Sequence, residues 1–182
     1  MANLQSIGLR RLSKMLLIAI VLTTCIGCDQ ATKFVAKSFL RPDSLISFAA
    51  DTFRLQYAEN SGAFLSLGST LPEPWRHLIF TVLVGLFLAG LLSYVLLSRE
   101  LAMRHVVYLS LVCGGGLSNL IDRIAYDGHV VDFINIGIGS LRTGIFNVAD
   151  MAITAGALLL AFDSFRKSPS TLPSPQSNIP PR

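Results

Sequence analysis

The chain has 182 residues, of which 52% are hydrophobic and 14% are charged. Soluble domains carry about 25% charged residues, so this composition excludes an ordinary soluble protein and predicts an integral membrane protein. The net charge is +4, and the basic residues stand at the ends of apolar runs instead of forming a continuous stripe. That distribution argues against nucleic acid as a partner and is typical of the cytoplasmic flanks of membrane spans.

The first apolar run follows a basic N-terminal segment and covers residues 15–27. A membrane span needs about 20 residues, so we place the span at about 12–31, which brings Asp29 within it. Lys33 follows Asp29 by one helical turn, and the two side chains therefore share a helix face on which they can form an ion pair.

A second interpretation of the N-terminal segment stays open. Residues 25–28 (CIGC) are similar to a lipoprotein cleavage box, which would make the protein a lipoprotein whose mature chain begins at Cys28. Such a box normally has Leu three residues before its cysteine, where this chain has Cys25. We therefore favour a first helix that is retained.

No span fits between the first apolar run and the next. Residues 52–57 alternate between polar and apolar, the period of a half-buried strand, and residues 44–49 are a candidate partner strand. We predict a small β-element at about 40–72 that lies on the membrane surface. It leads to Asn60 and Gly62, small and turn-forming residues at which the backbone can approach a ligand closely.

Three further apolar runs complete the predicted fold. We place these spans at about 75–97, 105–122 and 146–163. The expected fold class is an all-α integral membrane protein with four transmembrane helices and a small extracytoplasmic β-element between helices 1 and 2. Because the basic clusters all fall on one side of four spans, the positive-inside rule places both termini in the cytoplasm.

The segments outside the spans complete the predicted domain organisation. Residues 124–145 are expected to be an outer loop. Residues 1–167 are expected to form the membrane domain. Residues 168–182 hold five prolines and are expected to be a disordered tail.

Polar residues gather at the predicted outer ends of the spans, most densely between Gly114 and Asp150. Ionisable groups at membrane depth are costly unless they are paired or hydrated, so they mark a functional site by default. Asp132 and Asp150 are the candidate catalytic pair. Two carboxylates held close together share one proton, which suits a peptidase in which one acid activates water and the other protonates the leaving group.

Other chemistries find less support in the sequence. The three histidines are scattered and no metal-ligand spacing appears, so neither a metal nor an organic cofactor is predicted. The alternative function is a proton-coupled membrane transporter or channel subunit that uses intramembrane aspartates. That function predicts carboxylates spread across the depth of the bilayer, whereas here they cluster at one face.

Five motifs in order give the chain a resemblance to a known family. They are DQATK (29–33), NSGAF (60–64), GGLSNLIDR (115–123), VVDF (130–133) and FNVAD (146–150). With them the chain resembles the lipoprotein signal peptidases, also called type II signal peptidases, which are membrane aspartic peptidases of bacteria. The similarity covers roughly residues 12–165. One departure is Ser118, which stands where the family usually has glycine.

The resemblance implies a function and a set of site residues. Asp132 and Asp150 match the catalytic dyad of the family. The implied substrate-binding residues are Asp29, Lys33, Asn60, Gly62, Asn119, Asp122, Arg123 and Asn147, among which Asp122 and Arg123 are also expected to pair with each other. The implied activity is removal of signal peptides from diacylglyceryl-prolipoproteins just before the lipidated cysteine. The protein is expected to be a monomer in the bacterial cytoplasmic (inner) membrane, in contact with membrane lipid, with its active site near the outer face.

Overall fold

A computed structural model describes residues 2–41, 44–63 and 66–166 of the chain, with the side chains of 2–7 excepted. The predicted tail at 168–182 and the last residue of the NSGAF motif lie outside the described residues. The helices are α1 (Ala2–Phe39), α2 (Glu73–His77), α3 (Val84–Leu97), α4 (Met103–Ala125) and α5 (Val148–Arg166), and a π-helical segment (Leu78–Leu83) joins α2 to α3. The strands are β1 (Leu45–Phe48), β2 (Phe53–Asn60), β3 (Val130–Ile138) and β4 (Leu141–Arg142).

Three helical stretches among the described residues are long and apolar enough to span a membrane. They are Gly8–Phe39, Glu73–Leu97 and Val148–Arg166. The remaining predicted span falls in α4, a helix of 23 residues that packs against α1, α3 and α5. Its composition is less apolar because polar side chains occupy its buried face, so four spans remain a prediction.

A four-stranded antiparallel sheet lies beside the helices, in the order β1-β2-β3-β4. The predicted hairpin of β1 and β2 is present, and its turn holds Ala49, Ala50 and Asp51 at positive φ angles of 50°, 49° and 68°. The sheet is larger than the predicted β-element because β3 and β4 come from later in the chain.

The prediction of a loop at 124–145 is therefore wrong. β3 pairs with β2 along most of its length, and residues 130–135 of β3 are all buried. A strand buried on both faces shows no alternation of polar and apolar residues. Its partner strand, β2, is also distant in sequence, so no local sequence pattern predicts the pairing.

Two apolar clusters hold the fold together at its two ends. Ala36 and Leu40 at the end of α1 pack against Phe133 and Ile134 of β3. That contact fixes the sheet to the C-terminal end of α1. The second cluster is formed by Ile18, Val95 and Val106 near the other end of the helices.

Candidate active site

Asp132 is placed by the central pair of strands. It lies in β3 opposite Ala58 of β2, next to an irregularity in the pairing between Leu55 and Ala58. Its side chain is only 2% exposed. Asn147 donates to Oδ1 of Asp132 at 2.6 Å, and Asn60 donates to Oδ2 at 3.0 Å, so both carboxylate oxygens are held by amides.

Asp150 is placed by the first turn of α5. The backbone N–H of Asp150 donates to the side chain of Asn147 at 2.9 Å, and the backbone N–H of Asn147 donates to Asp150 Oδ2 at 3.2 Å. This reciprocal arrangement is a capping box, which satisfies N–H groups that a helix start leaves free. Asn119 of α4 donates to the other oxygen, Oδ1, at 2.9 Å. An acid at this position often serves only as a cap, so its chemistry depends on what it faces.

Asp132 and Asp150, which we call the acid pair, both line one open cavity of about 610 Å³. Asn60, Asn119 and Arg123 line the same polar end. Beyond Asp150 the wall is apolar except for Thr154 and continues along α5 to Ala161, a length of about 16 Å at 1.5 Å per residue. The cavity therefore has a polar end that holds two acids and an apolar length that follows the helix.

The acid pair has no cation in direct contact. In the described parts of the chain, no Lys or Arg nitrogen lies within 4.0 Å of either carboxyl group. Burial, followed by the charge of Asp150, raises the pKa of Asp132 to about 7. Since two carboxylates that face one cavity with no cation in direct contact cannot both ionise cheaply, we expect the pair to share one proton.

A second group of charges lies between α1 and α4. Lys33 contacts Asp29 at 2.6 Å and Asp122 at 2.9 Å, and all three side chains are at most 3% exposed. We call these three residues the buried ion cluster. Lys33 also donates to Asn119 at 2.8 Å, and Asp29 accepts the backbone N–H of Ala149 at 2.8 Å.

The structure bears on two predictions about the buried ion cluster. Asp29, Lys33 and Asp122 do not line this cavity, and they contact one another, Asn119 and the backbone of Ala149, so substrate binding by these three residues stays a prediction. The expected pair of Asp122 with Arg123 is wrong, since no such ion pair forms among the described residues. Adjacent helix residues point in different directions, so Asp122 turns toward Lys33 while Arg123 faces the other way.

Arg123 and Gly62 meet at the edge of the cavity. Arg123 donates through Nη2 to the backbone oxygen of Gly62 at 2.8 Å, and the N–H of Gly62 donates to the side chain of Asn60 at 2.9 Å. A Cβ at Gly62 would lie 2.6 Å from the backbone oxygen of Leu67, so only glycine fits this turn. Within the described residues the Nε of Arg123 is buried without a hydrogen-bond partner, which leaves it as a donor for a bound ligand.

Comparison with known proteins identifies the family. The family model described as signal peptidase (SPase) II matches residues 20–166, which is most of the chain. The chain belongs to the signal peptidase II family. The resemblance predicted from the five motifs is thereby confirmed.

Relatives of this signal peptidase II chain cover most of its length. The lipoprotein signal peptidase of Paraburkholderia phymatum is 39% identical over 140 residues, which cover 76% of this chain and 81% of that protein. The lipoprotein signal peptidase of Pelodictyon phaeoclathratiforme is 34% identical over 163 residues, which cover 85% and 93%. A solved structure of a bacterial membrane enzyme has a TM-score of 0.72 at 23% identity, with 86% of this chain and 92% of that one covered. At that identity the likeness shows the fold alone.

The apolar wall of the signal peptidase II cavity is the part of the site that the sequence did not reveal. Phe80, Val84, Ile153 and Leu158 line it. In a span where almost every residue is apolar, no pattern separates a side chain that faces a cavity from one that faces lipid. Gln30 was also missed. It donates to Asp122 at 2.8 Å and to the hydroxyl of Ser118 at 3.0 Å.

Proposed function

We propose that the protein is a membrane aspartic endopeptidase that removes signal peptides from diacylglyceryl-prolipoproteins by cutting just before the lipidated cysteine. The observation that carries this proposal is the acid pair, two aspartates that are held by amides and line one cavity. Among the described residues, no Lys or Arg contacts either carboxyl group directly. The family and the names of the relatives support the signal-peptidase activity. The proposal adds to them the catalytic type and the residues.

The shape of the cavity fits the substrate. A signal peptide is an apolar helix, and the wall along α5 from Ile153 to Ala161 offers an apolar surface for it. The scissile bond would then lie at the polar end beside Asp132 and Asp150. The acyl chains on the substrate cysteine would remain in the lipid outside the cavity.

The acid pair can carry both halves of the hydrolysis. The ionised carboxylate takes a proton from a water molecule, whose oxygen attacks the scissile carbonyl carbon. The protonated carboxyl donates a hydrogen bond to the developing oxyanion, and the proton taken from water then passes to the leaving amine. Asn60 and Asn147 fix the orientation of Asp132, while Asn119 fixes that of Asp150, so neither acid has to be reoriented during the reaction.

The proposed setting is the bacterial cytoplasmic (inner) membrane. We propose four spans, with α4 as the third, cytoplasmic termini and the acid pair near the outer face. The basic residues at the start of α1, between α3 and α4 and at the end of α5 support this orientation. The protein would act as a monomer, because the acid pair and its amides come from a single chain.

The two alternative functions have less support. A proton relay needs acids along the bilayer depth, but the next acid of α5, Asp163, lies about 20 Å beyond Asp150. A lipoprotein anchored through Cys28 would lose the preceding residues of α1. Those residues include Ile18, which belongs to one of the two apolar clusters.

The test is cleavage of a diacylglyceryl-prolipoprotein by the purified full chain in detergent, followed by gel shift. Asn keeps the shape of Asp and removes the acid, so D132N and D150N should each lower the rate by about 10³-fold or more. D51N is the matched control, because Asp51 lies in the turn of the same sheet, far from the cavity lining, and should leave the rate unchanged. A folded D132N or D150N protein that cleaves at a rate near that of wild type would exclude that aspartate as catalytic.

A further inference from the structure

A second cavity, of about 490 Å³, lies at the end of the helices opposite the acid pair. The start of α1, the end of α3 and the first residue of α4 form its walls. Along α1, roughly 22 Å separates Lys14 in this cavity from Asp29 in the buried ion cluster. The cavity is thus separate from the site described above.

The lining of this cavity is strongly basic. Arg10, Arg11, Lys14 and Arg99 line it, and no acidic side chain does. Over the ranges that the structure covers, none of the four forms an ion pair with an Asp or Glu. Like charges brought together without a counter-charge repel one another, so the arrangement favours an anion between them.

The fold accounts for only one of these four cations. Lys14 is buried and donates to the backbone oxygens of Leu96 and Ser98 at the end of α3. There it satisfies carbonyl groups that the helix end leaves free. The three arginines make no comparable contact within the described residues, and the guanidinium group is the side chain best shaped to bind phosphate oxygens.

The positive-inside rule explains the number of basic residues at this end but not their convergence. That rule is satisfied by cations anywhere near the ends of the spans. Here the cations come from two separate segments of the chain and line a single cavity. Arg166, at the end of α5 on the same side of the protein, stays outside it.

The cavity also has an apolar side. Leu96, Leu97 and Met103 line it together with the arginines, and Leu97 is largely exposed. Leu12 and Leu16 are exposed further along α1. A cationic hollow with apolar surface beside it matches a phospholipid, whose charged headgroup continues into acyl chains.

We propose that this cavity binds the phosphate group of an anionic phospholipid from the leaflet at this end of the protein. Arg10, Arg11 and Arg99 bind the phosphate oxygens, and Lys14 positions the end of α3. The acyl chains lie along Leu97 and the exposed leucines of α1. This site is independent of the proposed peptidase chemistry.

The test is native mass spectrometry of the purified full chain in detergent with phosphatidylglycerol or phosphatidylcholine at equal concentrations. Wild type should retain phosphatidylglycerol in preference to phosphatidylcholine. R99Q should weaken that retention about fivefold, and R10Q/R11Q/R99Q should abolish the preference. R166Q is the matched control, since it removes one exposed arginine at the same end and should behave as wild type.

Several outcomes would overturn the proposal. Equal retention of the two lipids by wild type would exclude a selective site. A loss in R166Q as large as that in R99Q would show that only the total charge matters. If an excess of inorganic phosphate displaces phosphatidylglycerol, the ligand of this cavity is a soluble anion and not a lipid. Among the described residues the three arginines form no ion pair, so circular dichroism of each variant should match that of wild type.

Discussion

Two pairs of aspartates lie at the same end of the helices in this protein, and the side chains around them differ. Asp29 and Asp122 belong to the buried ion cluster, where Lys33 contacts both of them. Asp132 and Asp150 form the acid pair. Within the described residues, the side chains that donate hydrogen bonds to these two carboxylates are all amides. Asn119 joins the two groups, since it accepts from Lys33 and donates to Asp150.

The difference shows how one residue type serves structure in one place and chemistry in another. A cation at hydrogen-bond distance offsets the cost of burying a carboxylate, so the buried ion cluster can remain charged and rigid. Amides orient a carboxylate without neutralising it, so we expect the acid pair to share one proton. The proton that the fold leaves in place of a cation is the one that proposed catalysis would use.

The largest expected effect comes from removing the cation that distinguishes the two pairs. K33M keeps the length of the side chain and leaves Asp29 and Asp122 buried without a counter-charge. Breaking a buried ion pair in this way costs about 3–5 kcal/mol. The free energy of unfolding, measured by reversible unfolding in mixed SDS micelles with circular dichroism, should fall by that amount.

The control for K33M is K37M, one helical turn further along α1. Lys37 is exposed, and its ammonium lies 3.5 Å from the centre of the Tyr126 ring, a contact of about 0.5–1 kcal/mol at an exposed site. K37M should therefore be mildly destabilised. If K33M unfolds as K37M does, Lys33 does not hold the buried ion cluster together.

The next largest effect concerns the contact between α4 and α5, which sets the distance between the buried ion cluster and the acid pair. A Cβ at Gly115 of α4 would lie 2.4 Å from the backbone oxygen of Ala149 and 2.8 Å from Ile153. G115A should push α5 away and cost about 1–3 kcal/mol. Because Ala149 precedes Asp150, the shift also moves Asp150 relative to Asn119. Cleavage should fall by up to about 10²-fold.

G90A is the matched control for G115A. Gly90 also lies inside a helix, but a Cβ there meets nothing within 4 Å. Alanine has the higher helix propensity, so G90A should be neutral or slightly stabilised and fully active. Similar losses in the two variants would mean that helix composition, and not the contact between α4 and α5, sets the result.

A further effect should follow from pH, which acts on the acid pair through Asp132. The pKa of Asp132 is raised to about 7 in the folded protein, against about 3.9 for a free Asp. The folded state therefore holds this proton more tightly, and the contribution to stability is lost as the pH rises through about 7. Cleavage should decline over the same range, because the pair loses its proton.

D132N provides the check on this assignment. It has no carboxyl group at 132, so the free energy of unfolding should depend less on pH between about 4 and 7 than that of wild type. The measurement is unfolding in mixed micelles across this range for both proteins. Equal slopes would assign the titration to another group.

The sequence predicted the chemistry of this protein better than its architecture. Asp132 and Asp150 stand out because acids beside apolar runs are costly, and the capping position of Asp150 can be read from its spacing to Asn147. The sheet was underestimated because β3 pairs with a strand about 70 residues earlier and is buried on both faces. The contacts of Lys33 were predicted in part. Its spacing predicts the contact with Asp29, but the contact with Asp122 depends on how α1 packs on α4.

The smallest expected effect tests a hydrogen bond that reinforces the buried ion cluster. The hydroxyl of Ser118 donates to Asp29 at 2.8 Å and accepts from Gln30 at 3.0 Å. Both partners keep other contacts when the hydroxyl is removed, so S118A should lose about 1 kcal/mol of unfolding free energy and keep its cleavage rate.

Ser110 offers the matched control on the same helix: it is equally buried, and within the described residues its hydroxyl has no hydrogen-bond partner. S110A should therefore be neutral or slightly stabilised. If the two variants lose the same stability, the Ser118 hydroxyl contributes nothing beyond its volume, and the buried ion cluster depends on Lys33 alone.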